Sequence, residues 1–433
     1  MPTFNRRASA FAHPFMDPLT ILLFVFAALL TWAQLQQRIV TPVVITQAGP
    51  EARLVELYWA LSEQFGQLGK TPGISANPQK NQWNTSVETV LLAEGGYIEK
   101  ARKQLRHTPE GAFRACWEAA YDSGPMPTIQ EIAVVVNGLG NGLASKYLEA
   151  LLVAGEGESA DKMRSEALKH YTSRAIALFS ILFALLIGAV IGIGIGIWML
   201  VNRAPMPDFP QFKMSWAYVI RVCLGWYIVF LTSATIVGWI NSVNSLGVWL
   251  LPATYFVHSA SGIAFICAAE KASPAMLWKR ISPKNWFWIP KGIQFLLLAL
   301  GLILILTAIL SLFMTEGNPP QRELIEFIRS NNGVLPFLVI FVTVALLGPA
   351  FEEFFFRGFL LSVMRRRMSV GWALIVSSGI FGAIHFQLQT FPALALLGGV
   401  LGLAFLRTGD IKTAVFIHGC WNGGVFLFQQ LLL

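Results

Sequence analysis

Two adjacent glutamates and an arginine interrupt an apolar stretch near the carboxyl end of the chain, in the segment GPAFEEFFFRGFL at residues 348–360. A charged side chain at the centre of a membrane costs about 2.5 kcal/mol or more, so such residues are expected to be paired or functional. In an α-helix Glu353 and Arg357 lie about 40° apart, whereas Glu352 and Arg357 lie about 140° apart. The spacing therefore predicts an ion pair between Glu353 and Arg357 and leaves Glu352 without that cation.

Glu352 is consequently a candidate general base, since a buried carboxylate without a cation is a suitable proton acceptor. The alternative is that all three charged residues form an inert ion-pair cluster, which holds their helix in a bundle. The glutamates by themselves do not decide between these two interpretations.

Three of the six histidines also lie in apolar segments, namely His258, His385 and His418. At 1.5 Å per residue, Glu352 and His385 each lie roughly 20 Å along their helices from the basic ends, and His418 lies roughly 10 Å from its own. All three residues therefore lie in the middle to cytoplasmic half of the bilayer, a range of depth that independent structural histidines have no reason to share with a glutamate pair. The shared depth predicts one polar site for these three residues, whereas His258 is interpreted as a packing or cavity-lining residue.

His418 and Asn422 are four residues apart and face the same way on a helix. A His/Asn pair of this kind can donate hydrogen bonds to a developing oxyanion. A pair of histidines together with a carboxylate can instead hold a metal ion. Both chemistries remain open at this point.

Three motifs in order, EEFFFR at 352–357, FGAIH at 381–385 and HGCWN at 418–422, resemble the signature of the CPBP family. These intramembrane proteases include the type II CAAX prenyl proteases and bacterial relatives linked to bacteriocin self-immunity. The resemblance covers roughly residues 215–432 and implies an α-helical bundle with a polar cavity open to one leaflet and the cytosol. It also implies hydrolysis of a peptide bond of a membrane-associated protein or peptide.

The resemblance assigns a role to each motif residue. It implies that Glu352 activates water with the help of His385, that His418 and Asn422 stabilise the oxyanion, and that Glu353 and Arg357 support the site structurally. If the enzyme uses a metal, zinc is the candidate, and its ligands are expected to be Glu352, His385 and His418, although no HExxH motif is present.

The composition indicates a membrane protein. Of 433 residues, 55% are hydrophobic and 13% are charged, against about 25% charged in soluble domains. The net charge is +8. Residues 39–172 carry nearly equal numbers of acidic and basic side chains, so the positive charge is concentrated in the apolar rest of the chain. This distribution does not indicate nucleic-acid binding. Four scattered cysteines do not suggest a disulfide framework.

We predict an all-α fold, a polytopic transmembrane helix bundle with an inserted soluble helical domain. Residues 1–38 are expected to form a cytoplasmic head and a membrane anchor, 39–172 an extracytoplasmic helical insert, and 173–433 the protease-like bundle, with the motif core at 334–433. About nine spans are expected from hydropathy, near 18–35, 174–201, 215–239, 247–269, 293–314, 334–364, 372–389, 391–406 and 413–432.

Lysine and arginine are concentrated in alternate connections between these spans. The positive-inside rule then places the N-terminus in the cytoplasm and both the insert and the C-terminus outside, in what we expect to be a bacterial inner membrane. The first span is interpreted as an uncleaved anchor rather than a signal peptide. The insert is expected to capture substrate, bind a protein partner or gate the cavity.

The sequence therefore predicts an intramembrane endopeptidase that acts in the lipid bilayer. Two other functions compete with it. A non-proteolytic scaffold or immunity protein would use the same bundle, and a proton-coupled transporter would use Glu352 and Glu353 as a relay. A transporter predicts inverted repeats with broken helices in both halves of the bundle, and the sequence does not contain such symmetry.

Overall fold

The structure is a computed structural model that describes residues 18–40, 48, 50–64, 82–108, 111–140, 142–154, 157–202, 212, 214–244, 246–282, 288–312 and 333–432. Every regular element in these ranges is helical, so the predicted all-α class is confirmed. The predicted cytoplasmic head at 1–17 lies outside the described residues. The chain divides into two compact units, one made of Met1–Thr41 and Leu185–Leu427 and the other of Pro42–Ala184 and Phe428–Leu433.

The second unit is built from short amphipathic helices. They are α2 (Pro50–Gln64), α3 (Gln82–Glu94), α4 (Ile98–Gln104), α5 (Ala112–Tyr121), α6 (Ile129–Leu139), α7 (Leu143–Ala154) and the start of α8 (Glu158–Val201). Their apolar faces bury Val87, Leu91, Trp117 and Leu148 completely. Helix α6 begins with a capping box in which Thr128 and Glu131 bond each other's backbone N–H groups.

A buried ion pair fixes helix α2 in this unit. Arg53 Nη1 lies 2.5 Å from Glu56 Oε2, and Arg53 also donates to the Leu139 carbonyl at the end of α6. Glu56 accepts a hydrogen bond of 2.9 Å from the Ala144 N–H in α7. A buried charge needs partners of this kind, so the pair ties three helices together.

The first unit contains the membrane bundle. Its elements are α1 (Pro18–Val40), the end of α8, α9 (Trp216–Asn244), α10 (Leu250–Glu270), α11 (Pro274–Ile281), α12 (Trp288–Ser311), α13 (Val334–Met364), α14 (Val370–Ala383), α15 (Phe391–Thr408) and α16 (Ile411–Leu432) as far as Leu427. The core of this unit surrounds α13, where Phe355, Phe356 and Phe359 pack with Phe381 and Phe405.

Among the described residues, six helices are long and apolar enough to cross a membrane: Glu158–Val201, Trp216–Val243, Gly247–Glu270, Trp288–Ser311, Val334–Met364 and Phe391–Thr408. The chain is therefore an integral membrane protein with a polytopic helix bundle, as predicted. The other predicted spans, at 18–35, 372–389 and 413–432, coincide with helices α1, α14 and α16. The described parts of these three helices do not meet the same criterion of length and hydropathy, so the number of about nine spans stays a prediction.

Helix α13 is not a uniform α-helix, and in this respect the sequence interpretation was incomplete. Thr343–Leu347 and Phe354–Leu361 are π-helical, and only the short α-helical segment Gly348–Glu353 separates them. Pro349 lacks the N–H that an α-helix interior requires, and a π turn accommodates such a break. The two glutamates therefore lie between two π-helical segments, a type of distortion that is frequent at functional sites.

Helix α14 is shorter than the predicted span at 372–389. It ends at Ala383, and His385 lies in the turn that follows. Phe386 takes a positive φ of 54°, the left-handed conformation that terminates helices and is unfavourable for a bulky residue. The turn thereby sets the position of His385 at the end of the helix rather than in its interior.

Candidate active site

A buried network of three charged or polar side chains lies at the centre of the first unit. Arg357 Nη1 donates to Glu353 Oε1 at 2.6 Å, and His418 Nδ1 lies 2.8 Å from the same oxygen. The second nitrogen, Arg357 Nη2, donates to the Gly398 carbonyl at 3.2 Å. Glu353 is 0% and Arg357 1% exposed, so the predicted Glu353–Arg357 pair forms and is fully desolvated.

Glu352 has a different environment from its neighbour. The Glu352 side chain is 13% exposed, and its Oε2 atom lies 3.8 Å from His418 Nε2. This oxygen is buried and has no hydrogen-bond partner among the described residues. His418 thus lies between two carboxylates, with Nδ1 bonded to Glu353 and Nε2 facing Glu352 across a gap that is too long for a direct hydrogen bond.

Glycines in α16 allow this helix to approach α13 closely. A Cβ atom on Gly419 would lie 2.6 Å from the Ala345 carbonyl oxygen, and one on Gly423 would lie 3.3 Å from the Ala345 side chain. The small residues permit backbone contact between the two helices. As a result, His418 on α16 can reach Glu353 on α13.

Asn422 closes a gap in the backbone hydrogen bonds of α13. The Gly348 N–H bonds the Thr343 carbonyl, and Pro349 has no N–H to donate, so the Val344 carbonyl needs another donor. Asn422 Nδ2 supplies it at 3.1 Å. An amide carries two N–H donors, and this bond leaves the second one of Asn422 for another acceptor.

The Gly419→Ala substitution is expected to lower the catalytic rate at least tenfold and to reduce thermal stability. Its Cβ would lie 2.6 Å from the Ala345 carbonyl oxygen, so α16 must shift and the hydrogen bonds of His418 and Asn422 to α13 must lengthen. Gly424→Ala is the matched control, because a Cβ there meets nothing within 4 Å. Equal rates and melting temperatures for the two variants would contradict this interpretation.

His385 approaches the network through the ring of Phe381. Its Nδ1 lies 2.8 Å from the Phe381 carbonyl oxygen, which leaves Nε2 as the available nitrogen. The Phe381 ring lies 5.3 Å from the His385 ring and 5.6 Å from the His418 ring, while the Arg357 guanidinium stacks over it at 4.3 Å. His385 is also within electrostatic range of Glu352.

The structure therefore brings the predicted site residues into one region, in different ways. Three of them are in direct polar contact, Glu353, Arg357 and His418, and Glu352 faces His418 at 3.8 Å. The His385 ring contacts the Phe381 ring, which also contacts the His418 ring. Asn422 donates a hydrogen bond to the Val344 carbonyl of α13. His258 lies apart, buried against Phe230, Tyr255 and Phe351.

Tyr255, whose ring packs at Gly348 one turn before Glu352, was missed by the sequence interpretation. Its position three residues before His258, on the same helix face, is the one signal that pointed to it.

The side chains do not fit a zinc site as they are placed. Nowhere in the described part of the chain do three His, Cys, Asp or Glu side chains form a group that could hold a metal ion. His418 Nδ1 is already bonded to Glu353. A zinc ion on Glu352, His385 and His418 stays a prediction.

Comparisons with known proteins agree with the motif order. Residues 334–424 match the family model described as type II CAAX prenyl endopeptidase Rce1-like. The chain is 28% identical to the membrane-embedded CAAX protease MroQ of Staphylococcus aureus (strain USA300) over 188 residues, which are 41% of this chain and 72% of that protein.

Two further relatives match over shorter stretches. The putative membrane peptidase YdiL of Bacillus subtilis (strain 168) is 28% identical over 92 residues, 21% of this chain and 37% of that protein. An uncharacterized 24.3 kDa protein of Escherichia coli is 27% identical over 106 residues, 23% of this chain and 48% of that protein. No solved structure matches the chain.

Proposed function

We propose that the chain is an intramembrane endopeptidase of the CPBP family, because residues 334–424 match the Rce1-like model of type II CAAX prenyl endopeptidases and the chain is similar to a membrane-embedded CAAX protease. Its substrate is a membrane-associated protein or peptide. The observation that carries the proposal is the buried, unpartnered Oε2 of Glu352, which faces His418 Nε2 at 3.8 Å. An oxygen atom of a water molecule or substrate bridges such a gap at ordinary hydrogen-bond lengths.

In the proposed mechanism Glu352 is the general base, assisted by His385 through its free Nε2. Glu352 takes a proton from water, and the water oxygen forms a bond to the carbonyl carbon of the peptide while the carbonyl π electrons move to its oxygen. The proton then passes from Glu352 to the leaving nitrogen as the carbon–nitrogen bond breaks. The oxyanion re-forms the carbonyl group, and the products are an amine and a carboxylic acid, which then releases its proton to water.

The negative oxygen of the tetrahedral intermediate needs hydrogen-bond donors. We assign this role to His418, which in its protonated form donates through Nε2, and to the second N–H of Asn422. Glu353 holds His418 in place through its contact with Nδ1, and Arg357 in turn fixes the Glu353 carboxylate. Donors fixed before the reaction stabilise charge effectively in a site from which water is excluded.

A comparison of native membranes that contain wild type or Glu352→Gln tests this proposal. New N-termini of membrane-associated proteins are identified by mass spectrometry in both samples. We expect a small set of cleaved peptides that depends on Glu352 and an intact precursor in the variant. If no N-terminus changes while the biological phenotype of the wild type persists, the chain acts as a non-proteolytic scaffold or immunity protein instead.

We further propose a cytoplasmic N-terminus and an extracytoplasmic C-terminus in a bacterial inner membrane, from the distribution of basic residues. The insert at 39–172 is then outside, where it would meet a protein partner or the extracytoplasmic part of a substrate. Cysteine labelling from either side of the membrane, at single introduced cysteines in the insert, distinguishes the two orientations.

A further inference from the structure

Helix α10 brings a phenol to the face of α13 that carries Glu352. Gly348 lies one turn before Glu352 on that face, and a Cβ atom on Gly348 would be only 2.8 Å from Tyr255 Cε1. The Tyr255 ring therefore fills the space that the glycine leaves. A helical side chain leans toward the preceding turn, so the Glu352 carboxylate extends toward the same place.

The tyrosine ring is held firmly on its other side. It lies 5.1 Å from the ring of His258, which is 5% exposed and packs in turn on Phe351 at 5.7 Å. Phe351 immediately precedes Glu352, so the aromatic contacts link the tyrosine to the backbone that carries the base. The position of the phenol relative to Glu352 is thus fixed by packing.

The O–H group of Tyr255 is available to donate a hydrogen bond. None of the described residues forms a hydrogen bond with it, although it is within electrostatic range of Glu352. By contrast, His418 Nδ1 is bonded to Glu353, and one N–H of Asn422 is bonded to Val344. A tyrosine hydroxyl is one of the side-chain donors that can form an oxyanion hole.

We propose that Tyr255 is a further catalytic residue, whose O–H donates a hydrogen bond to the carbonyl oxygen of the scissile peptide as that oxygen becomes negative. The inference rests on the proposed peptidase function. Glu352 then shares the site with His418 on α16, which lies 3.8 Å away, and with Tyr255 on α10, whose ring packs at Gly348 one turn before it. The phenol keeps its proton throughout, so the proton transfers through Glu352 are unchanged.

Tyr255→Phe tests this role in the full-length protein, with a peptide from the membrane comparison as substrate. The variant keeps the ring that fills the space at Gly348 and removes only the hydroxyl. We expect kcat to fall by about 10²-fold, as when one oxyanion donor is removed, with KM within about twofold of wild type. Tyr227→Phe is the control, because its hydroxyl bonds Thr31 instead, and it is expected to keep its rate.

The pH dependence of kcat distinguishes a donor to the oxyanion from a residue that only tunes Glu352. Loss of an oxyanion donor lowers the rate equally at all pH values, whereas a change at Glu352 displaces the profile along the pH axis. An unchanged kcat, or a displaced profile, would overturn the role proposed for Tyr255 even if Glu352→Gln abolishes cleavage. If Glu352→Gln cleaves like wild type, the peptidase proposal itself fails.

Discussion

Glu352→Gln is expected to lower kcat/KM for the cleaved peptide by about a thousandfold, in the range that general acid–base catalysis contributes. Glutamine has the same shape as glutamate but cannot accept the proton of water. The fold should tolerate the change, because Glu352 Oε2 has no hydrogen-bond partner among the described residues. We therefore expect a melting temperature close to that of wild type, measured by tryptophan fluorescence in lipid nanodiscs.

Glu270→Gln provides the matched control for this result. Glu270 Oε2 lies 3.1 Å from Arg280, and its Oε1 accepts a hydrogen bond from the Met214 N–H, both away from the site. Glu270→Gln should therefore lower the melting temperature and leave the catalytic rate per folded molecule unchanged. Glu352→Gln should instead lower the rate and leave the melting temperature unchanged. A Glu352→Gln enzyme that retains a tenth or more of the wild-type rate would exclude Glu352 as the general base.

Much of the candidate site follows from spacing alone. Glu353 and Arg357 are four residues apart, and the structure pairs them as that spacing predicts. The distinction between Glu352 and Glu353 follows from the same argument, since the two side chains leave the helix about 100° apart. These contacts are local to one helix, so the sequence determines them without knowledge of the fold.

Contacts between helices could not be predicted in the same way. That His418 bonds Glu353 depends on how closely α16 approaches α13, and this depends on Gly419 as well as on the π-helical segments around Pro349. The use of Asn422 as a donor to Val344 follows from a break in the hydrogen bonds of α13, which a uniform α-helix does not have. Tyr255 lies on a helix outside the motifs, and only packing brings it near Glu352.

Breaking the buried ion pair of Arg357 and Glu353 is expected to reduce the stability of the fold more than the catalytic rate. Arg357→Met is expected to lower the free energy of unfolding by about 3–5 kcal/mol, because it leaves the Glu353 carboxylate buried without a cation. Adding Glu353→Gln to this variant should restore a large part of the loss, since the amide is neutral and its oxygen can still accept a hydrogen bond from His418 Nδ1. Thermal and denaturant unfolding of the four members of this double-mutant cycle give the coupling energy.

An exposed pair supplies the reference for that cycle. Arg102 Nη1 lies 2.6 Å from Glu99 Oε1 and its Nη2 lies 2.6 Å from Asp122 Oδ1, and the Arg102 side chain is 48% exposed. Arg102→Met should therefore cost less than about 1 kcal/mol, as surface pairs do. If Arg357→Met costs no more than Arg102→Met, or if the Arg357 and Glu353 substitutions are simply additive, the network does not stabilise the bundle. If they are coupled, Glu353 and Arg357 act as one neutral unit whose task is to hold the His418 ring beside Glu352.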